Sequence, residues 1–231
     1  MNIPILMYHS IVDDSYQSVS INSFKKQMIF MKKMGYQTIS FKDLNKKNHN
    51  KEFILTFDDG YESIFTNAFP ILIELGFKAT CFIITNKIGH YNEWDINKDY
   101  FKKMKLMNRD QINEWLQKGF DVGSHTMDHL DLIKLNYENK NQQIINSKKF
   151  FKDVFNIEID SFAYPFGSYD NETLKIIKQN YNYAVTTKRS RFIKNKFSNQ
   201  LLPRVPINKN DSLFKFFLKI RTPYEDIKFK N

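Results

Sequence analysis

Residues 53–60 read Phe53-Ile54-Leu55-Thr56-Phe57-Asp58-Asp59-Gly60. A short apolar run stops abruptly at two carboxylates and a glycine. Such a run, bounded by a breaker, reads as a strand buried on both faces, and Gly60 permits the sharp break. Strands of this kind belong to parallel sheets covered by helices. The pattern recurs in both directions along the chain. Strands are predicted over Ile3–Tyr8, Gln37–Ser40, Phe53–Phe57, Ala79–Thr85, Phe120–Ser124, Ser161–Tyr164, Tyr183–Thr186 and Leu201–Ile207. Helical patterns fall between them over Asn22–Met34, Ile64–Leu75, Arg109–Lys118, Tyr137–Phe155 and Asn171–Gln179. Gly35, Gly76 and Gly119 each follow a helical stretch, where a left-handed C-cap favours glycine, and Asp170 or Asn171 supplies an N-cap. Seven or eight βα units in 231 residues suit a small (β/α) barrel better than an open sheet. One domain spanning 1–231 is expected, since no repeat and no low-complexity linker divides the chain. Residues 46–52 form a polar loop, and Gly89–Met107 is a longer insertion expected at a substrate rim.

Composition narrows the chemistry. The 22 Phe and 12 Tyr argue against global disorder, and 7 Gly with 6 Pro exclude collagen-like architectures. The single cysteine, Cys81, excludes an intramolecular disulfide framework and a cysteine metal cluster. A bound metal would need His and carboxylate ligands. The formal charge of +10 favours anionic partners. Its lysines are scattered, however, with only short clusters such as Lys46–Lys47 and Lys102–Lys103, and no nucleic-acid motif accompanies them. No apolar run approaches the roughly 20 residues that cross a bilayer. Ile3–Tyr8 is too short for a signal-peptide core and lacks a basic flank. As written, the chain is expected in the cytoplasm; an exported protein whose leader had been trimmed would read the same.

In parallel barrels chemistry sits where strands end and βα loops begin. His9, Asp58–Asp59, His125 and Tyr164–Pro165 all fall at predicted strand ends. Two adjacent carboxylates in different environments can divide their roles, one binding a cation and the other remaining a base; an Asp turn or N-cap is the ordinary alternative. Ser124-His125-Thr126-Met127-Asp128-His129 follows another strand, and His at i and i+4 suits two ligands to one metal, although histidines at this spacing are often simply solvated. His49 and His90 lie in polar loops and receive no role. Asp59, His125 and His129 together make a two-His, one-carboxylate set fit for zinc or another first-row divalent ion. Asp58 then serves as base toward the activated water.

The Thr56-Phe57-Asp58-Asp59-Gly60 and Ser124-His125-Thr126-Met127-Asp128-His129 elements resemble the first two motifs of the polysaccharide deacetylase family, also called the NodB-homology or carbohydrate esterase 4 family. Phe162-Ala163-Tyr164-Pro165-Phe166-Gly167 is similar to that family's third motif. The resemblance spans most of the chain in the expected order. It implies a distorted (β/α)7 barrel and metal-dependent removal of acetyl from an N-acetylated amino sugar. Asp58 would be the base, Asp59, His125 and His129 the metal ligands, and the Phe166 backbone N–H part of the oxyanion hole. Two departures stand out. Ala163 replaces the arginine that orients the base, and Arg204 in Leu202-Pro203-Arg204-Val205-Pro206 is a candidate substitute; a surface ion pair is the equal alternative. The family's C-terminal Leu-x-His, which supplies the general acid, is also missing. Pro4-Ile5-Leu6-Met7-Tyr8-His9-Ser10 resembles instead a permuted subgroup containing poly-N-acetylglucosamine deacetylases. Since a closed barrel can begin at any strand, His9 would take the general-acid role.

A catalytically silent glycan-binding barrel is the competing reading, and retention of both Asp58 and His9 counts against it. The expected partners are an N-acetylated glycan or lipid-linked sugar and an anionic membrane surface, with no nucleic acid and a monomeric chain. Leu213–Ile220, with two lysines at i and i+4, is read as the last barrel helix packing on the core or as an interfacial helix that dips Phe and Leu into an anionic leaflet.

Overall fold

The computed structural model describes residues 2–13, 17–44, 46, 51–99, 101–193 and 195–229. His49 and most of the predicted polar loop lie outside them. Seven strands build the centre: β1 (Ile5–Tyr8), β2 (Glu52–Phe57), β3 (Thr80–Ile83), β4 (Asp121–Ser124), β5 (Ser161–Ala163), β6 (Tyr183–Arg189) and β7 (Leu202–Pro206). Each pairs in parallel with the next in chain order, and β7 returns to β1 through Val205↔Leu6 and Pro206↔Met7. The sheet is therefore a closed seven-strand barrel, the fold class the family resemblance implies. An eighth predicted strand, at Gln37, is not a stave. It covers only Gln37–Thr38 and pairs beside Glu52–Phe53 at the start of β2, before β3 joins that side at Thr56.

Helices wrap the barrel: α1 (Ile21–Lys33), α2 (Phe69–Leu75), α3 (Arg109–Gln117), α4 (Tyr137–Asn141), α5 (Ser147–Phe155), α6 (Asn171–Asn180), α7 (Leu213–Arg221) and α8 (Tyr224–Lys228). Local chemistry sets their ends. Asp170 accepts the Thr173 N–H at 2.8 Å as the α6 N-cap, and Gly76 closes α2 at φ 68°. Two predicted helices are not continuous. Ile64–Ala68 is a π turn ahead of α2, and Gln142–Asn146 is a π turn joining α4 to α5. A one-residue widening leaves the apolar stripe almost unchanged, so periodicity does not disclose it.

Successive strand residues face opposite sides of the sheet, and the core divides accordingly. Leu6, Tyr8, Phe53, Leu55, Phe57 and Phe162 pack with the helices in one cluster. Ile5, Ile54, Phe82, Ala163, Val185 and Leu202 form a second cluster within the barrel. Continuing the second parity carries β1 to His9, β2 to Asp58, β4 to His125 and β7 to Arg204. The barrel interior thus leads directly to the polar residues at its C-terminal end.

The C-terminal segment packs inward. Phe216 and Ile220 of α7 are buried, and the buried Lys219 Nζ bonds the Pro206 carbonyl and Asp211 Oδ2, each at 2.6 Å. Lys215 pairs with Asp211 at 2.7 Å. Lys219 is buried, whereas Lys215 is partly exposed. Leu213 and Phe214 remain exposed. Among the described residues no helix is long and apolar enough to cross a membrane.

Gly123 lets β4 approach its neighbours: a Cβ there would lie 2.5 Å from the Phe82 ring and 2.7 Å from Ser161 Oγ. Gly123→Ala should therefore cost about 1–3 kcal/mol of stability through overpacking, seen as a lower urea midpoint with an unchanged slope.

Candidate active site

β2 ends in a backbone reversal. Asp58 keeps the strand's inward direction and its N–H bonds the Tyr8 carbonyl at 2.9 Å. Asp59 (φ 69°) and Gly60 (φ 73°) then both enter the left-handed region. That turn lets two sequential carboxylates share one end of the barrel, which a continuing strand would forbid. The second group of polar residues follows β4, where His125 leaves the strand and Thr126 (φ 67°) and His129 (φ 59°) are left-handed. Three of these four residues carry a Cβ in a conformation that favours glycine. The same is true of Phe166 (φ 58°), in the Pro165–Gly167 turn after β5. Strained residues concentrated at one end of a barrel mark a site rather than a fold requirement.

Asp59 Oδ1 lies 3.3 Å from His125 Nε2 and 3.5 Å from His129 Nε2. The three donor atoms lie within 4.8 Å of one another, all on buried residues. Zinc–ligand bonds of about 2.0–2.2 Å in a tetrahedron place neighbouring donors about 3.4 Å apart, so this set fits one divalent ion. His125 Nδ1 faces the Ala163 carbonyl at 2.7 Å. Donating there, Nδ1 would leave Nε2 to face an ion, the arrangement metal-binding imidazoles use. Burial lowers the His125 imidazole, but the hydrogen bond to Asp59 and the Asp58 charge raise it above its ordinary range. Burial pushes the Asp59 carboxyl up, but the His125 hydrogen bond and the nearby imidazoles hold it below the usual carboxylate range. Burial pulls His129 down to about 3 despite Asp59, leaving its imidazole neutral. His129 is wedged between Trp94 and Phe166, with ring centroids 4.8 and 4.7 Å away.

Arg204 reaches Asp58 from β7 across the barrel. Its Nη1 and Nη2 donate to Asp58 Oδ1 and Oδ2, each at 2.7 Å, and Nε donates to the Thr186 carbonyl at 3.0 Å. Arg204 is fully buried, which rules out a surface ion pair. Burial raises the Asp58 carboxyl, yet the guanidinium charge and hydrogen bonds, with His125 and His9 beyond, hold it below its ordinary range. The Ala163 side chain lies in the inner core cluster. Asp58, Asp59, His125, His129, the half-buried His9 and Phe166 all line one open cavity of about 270 Å³. Every residue singled out by sequence is thus in this cavity or, for Arg204, directly behind it. Trp94, Gln17 and Thr187 also line the cavity, and no motif marks them in the sequence. Trp94 lies within the predicted rim insertion, and its rarity in the chain was the available hint. His90 is exposed.

The family model for polysaccharide deacetylases matches residues 45–185. YxkH of Bacillus subtilis (strain 168) is 35% identical over 192 residues, covering 80% of this chain and 64% of that protein. A poly-beta-1,6-N-acetyl-D-glucosamine N-deacetylase of Staphylococcus epidermidis is 26% identical over 208 residues, covering 84% of this chain and 69% of its own. Among solved structures, the Streptococcus pyogenes deacetylase PplD in complex with acetate superposes with a TM-score of 0.82 at 27% identity, covering 96% of this chain and 99% of PplD. IcaB from Ammonifex degensii shares the fold, with a TM-score of 0.82. The chain belongs to the polysaccharide deacetylase family. Family members use a divalent metal, and Asp59, His125 and His129 are the group among the described residues that could hold one. His9 and Arg204 lie outside the matched segment and enter the site through barrel closure.

Arg204→Ala would strand a buried carboxylate and should lower the unfolding free energy by about 3–5 kcal/mol. Adding Asp58→Asn should recover a substantial part of that loss in urea unfolding. A single-variant loss below about 1 kcal/mol would mean that Asp58 is solvated or neutral.

Proposed function

We propose that the protein is a metal-dependent N-deacetylase acting on an N-acetylated amino sugar within a glycan, with Asp58 as base and His9 as acid. The observation that carries the reading is the three-residue donor set lying beside a carboxylate clamped by a buried arginine, in a cavity open to substrate. The poly-N-acetylglucosamine deacetylases among the relatives support N-acetylglucosamine units as the substrate. The two imidazoles and one carboxylate favour zinc. When bound, the ion supplies Lewis acidity, polarising the acetamide carbonyl and lowering the pKa of a water.

The chain's own groups do the rest. Asp58 takes a proton from the attacking water. Arg204 occupies one lone pair on each carboxylate oxygen, so the remaining lone pairs stay available and the geometry stays fixed. A carboxylate held below its ordinary range is a weak base, so its role depends on the ion lowering the pKa of the water. The backbone N–H of Phe166 is assigned to the developing oxyanion, where a preorganised donor contributes most. His9, half-buried at the end of β1, is assigned to protonate the departing amine, giving acetate and a glucosamine-type product. A lipid-linked precursor is the narrower alternative, supported by the net charge of +10 and the exposed Leu213 and Phe214.

Asp58→Asn should retain ion uptake while acetate release from N-acetylglucosamine oligomers falls by about 10²–10⁴-fold. Loss of the ion in parallel would exchange the roles of Asp58 and Asp59. His9→Ala should also retain the ion and slow turnover. A His9→Ala enzyme with full activity, or a wild-type protein that binds oligomers without releasing acetate, would count against the assignment.

A further inference from the structure

The loop from His125 to His129 carries two of the three candidate metal ligands, and its backbone contains two left-handed non-glycine residues. Something outside the loop must hold it. All five main-chain amides of the segment have defined acceptors. The His125 N–H bonds the Ile83 carbonyl at 2.9 Å. The Thr126 N–H bonds Ser124 Oγ at 3.2 Å, and the His129 N–H bonds Thr126 Oγ1 at 3.0 Å. The two in the middle, on Met127 and Asp128, both donate to Gln143 Oε1, at 3.2 and 3.0 Å. Of these acceptors, Gln143 alone comes from the surrounding helices.

We propose that Gln143 is a positioning residue for the ion site, its side-chain amide locking the ligand loop so that His125 and His129 face Asp59 together. This rests on the reading of Asp59, His125 and His129 as metal ligands. The Gln143 amide is used at both ends. While Oε1 receives two backbone N–H groups, Nε2 donates to Asp128 Oδ2 at 2.7 Å. Asp128 Oδ1 in turn accepts from Asn86 Nδ2 at 2.8 Å. Two donors facing the oxygen and a carboxylate facing the nitrogen leave one amide orientation that satisfies all partners. Gln143 is buried, so water cannot readily replace these bonds if the side chain is removed.

The local helix geometry serves the same contact. Gln143 sits in the π turn Gln142–Asn146 between α4 and α5, and π turns recur where a helix must present a side chain to a site. One turn on, Ser147 Oγ lies 2.6 Å from Ser124 Oγ, beneath the start of the loop. Groups behind metal-binding imidazoles orient the ligands, and their loss typically weakens metal binding about 10–100-fold.

The test uses the full chain stripped of metal by a chelator, titrated with Zn²⁺ by calorimetry and with Co²⁺ by visible absorption. Gln143→Ala should weaken Zn²⁺ binding by about 10–100-fold and alter the Co²⁺ bands. A glutamine with a purely structural role would lower thermal stability and leave both readouts unchanged. Gln143→Glu alone sets carboxylate against carboxylate and should weaken binding, whereas Asp128→Asn alone can turn its Oδ1 to Gln143 Nε2 and should keep most of the affinity. Combined, the two substitutions exchange donor and acceptor across the contact, preserve the Asn86 bond, and should restore most of the affinity. The swap decides the matter even if Gln143→Ala does not fold. Zn²⁺ affinities of the folded single Gln143 variants within about twofold of wild type, or a double variant no better than the weaker single, would overturn the proposal. Wild-type protein that takes up neither ion would overturn the ligand reading itself, a failure visible without any variant.

Discussion

Asp58 and Asp59 stand side by side at the end of β2, both nearly excluded from water, and a buried charge without a partner is among the most costly features a fold can carry. Their compensation comes from distant parts of the chain. Arg204 satisfies both oxygens of Asp58 from 146 residues away, while His125 and His129 face Asp59 from the loop after β4. The arginine is in place because β7 closes the ring against β1. Opening the barrel would therefore expose a hydrogen-bonded seam and leave a carboxylate without its cation at the same time. Site and barrel stability depend on the same contacts.

The backbone around this charge pair is unfavourable in its own right. Asp59, Thr126, His129 and Phe166 occupy left-handed conformations, each costing on the order of 1 kcal/mol or more for a residue with a Cβ. Compensation is polar, partly within the loops and, for the histidine loop, from Gln143 as well. The His129 N–H is returned to Thr126 Oγ1, and Gly167 bonds back to the Tyr164 carbonyl at 2.9 Å. The outcome is a rim in which direction is set by loop geometry, while the staves below simply alternate between inner and outer core. Such division leaves the rim free to carry chemistry without disturbing the packed interior.

Closure also explains how the guanidinium can come from a different strand than in the family's usual third motif. Ala163 in β5 keeps its carbonyl for His125 Nδ1 and has no side chain to orient a base. Arg204 reaches the same carboxylate from β7, using Thr186 and Thr56 as additional acceptors. Around a closed ring, a cation can enter from several staves and still meet one interior carboxylate. His9, at the end of β1, belongs to the same logic, since the first and last staves are neighbours.

Much of this was legible in the sequence. Short apolar runs separated by helical patterns determined the βα order, because burial on both faces imposes composition directly. Breakers determined where strands stop, and hence that Asp58, Asp59, His125 and His9 lie at one end of the barrel. The family resemblance added the count of seven staves. Other features depended on contacts between residues far apart in the chain. Sequence left Arg204 divided between a surface pair and the base, and only closure of β7 on β1 decided it, since burial is a property of the whole ring. The inward turn of Lys219 and the arrival of Trp94 over His129 were likewise invisible, because a side chain's surroundings are set by elements that local patterns do not connect. The π turns, Ile64–Ala68 and Gln142–Asn146, escaped for a different reason. One extra residue in a helical turn leaves the apolar stripe intact, and its effect, bringing Gln143 beneath the histidine loop, exists only once helix and barrel are packed together.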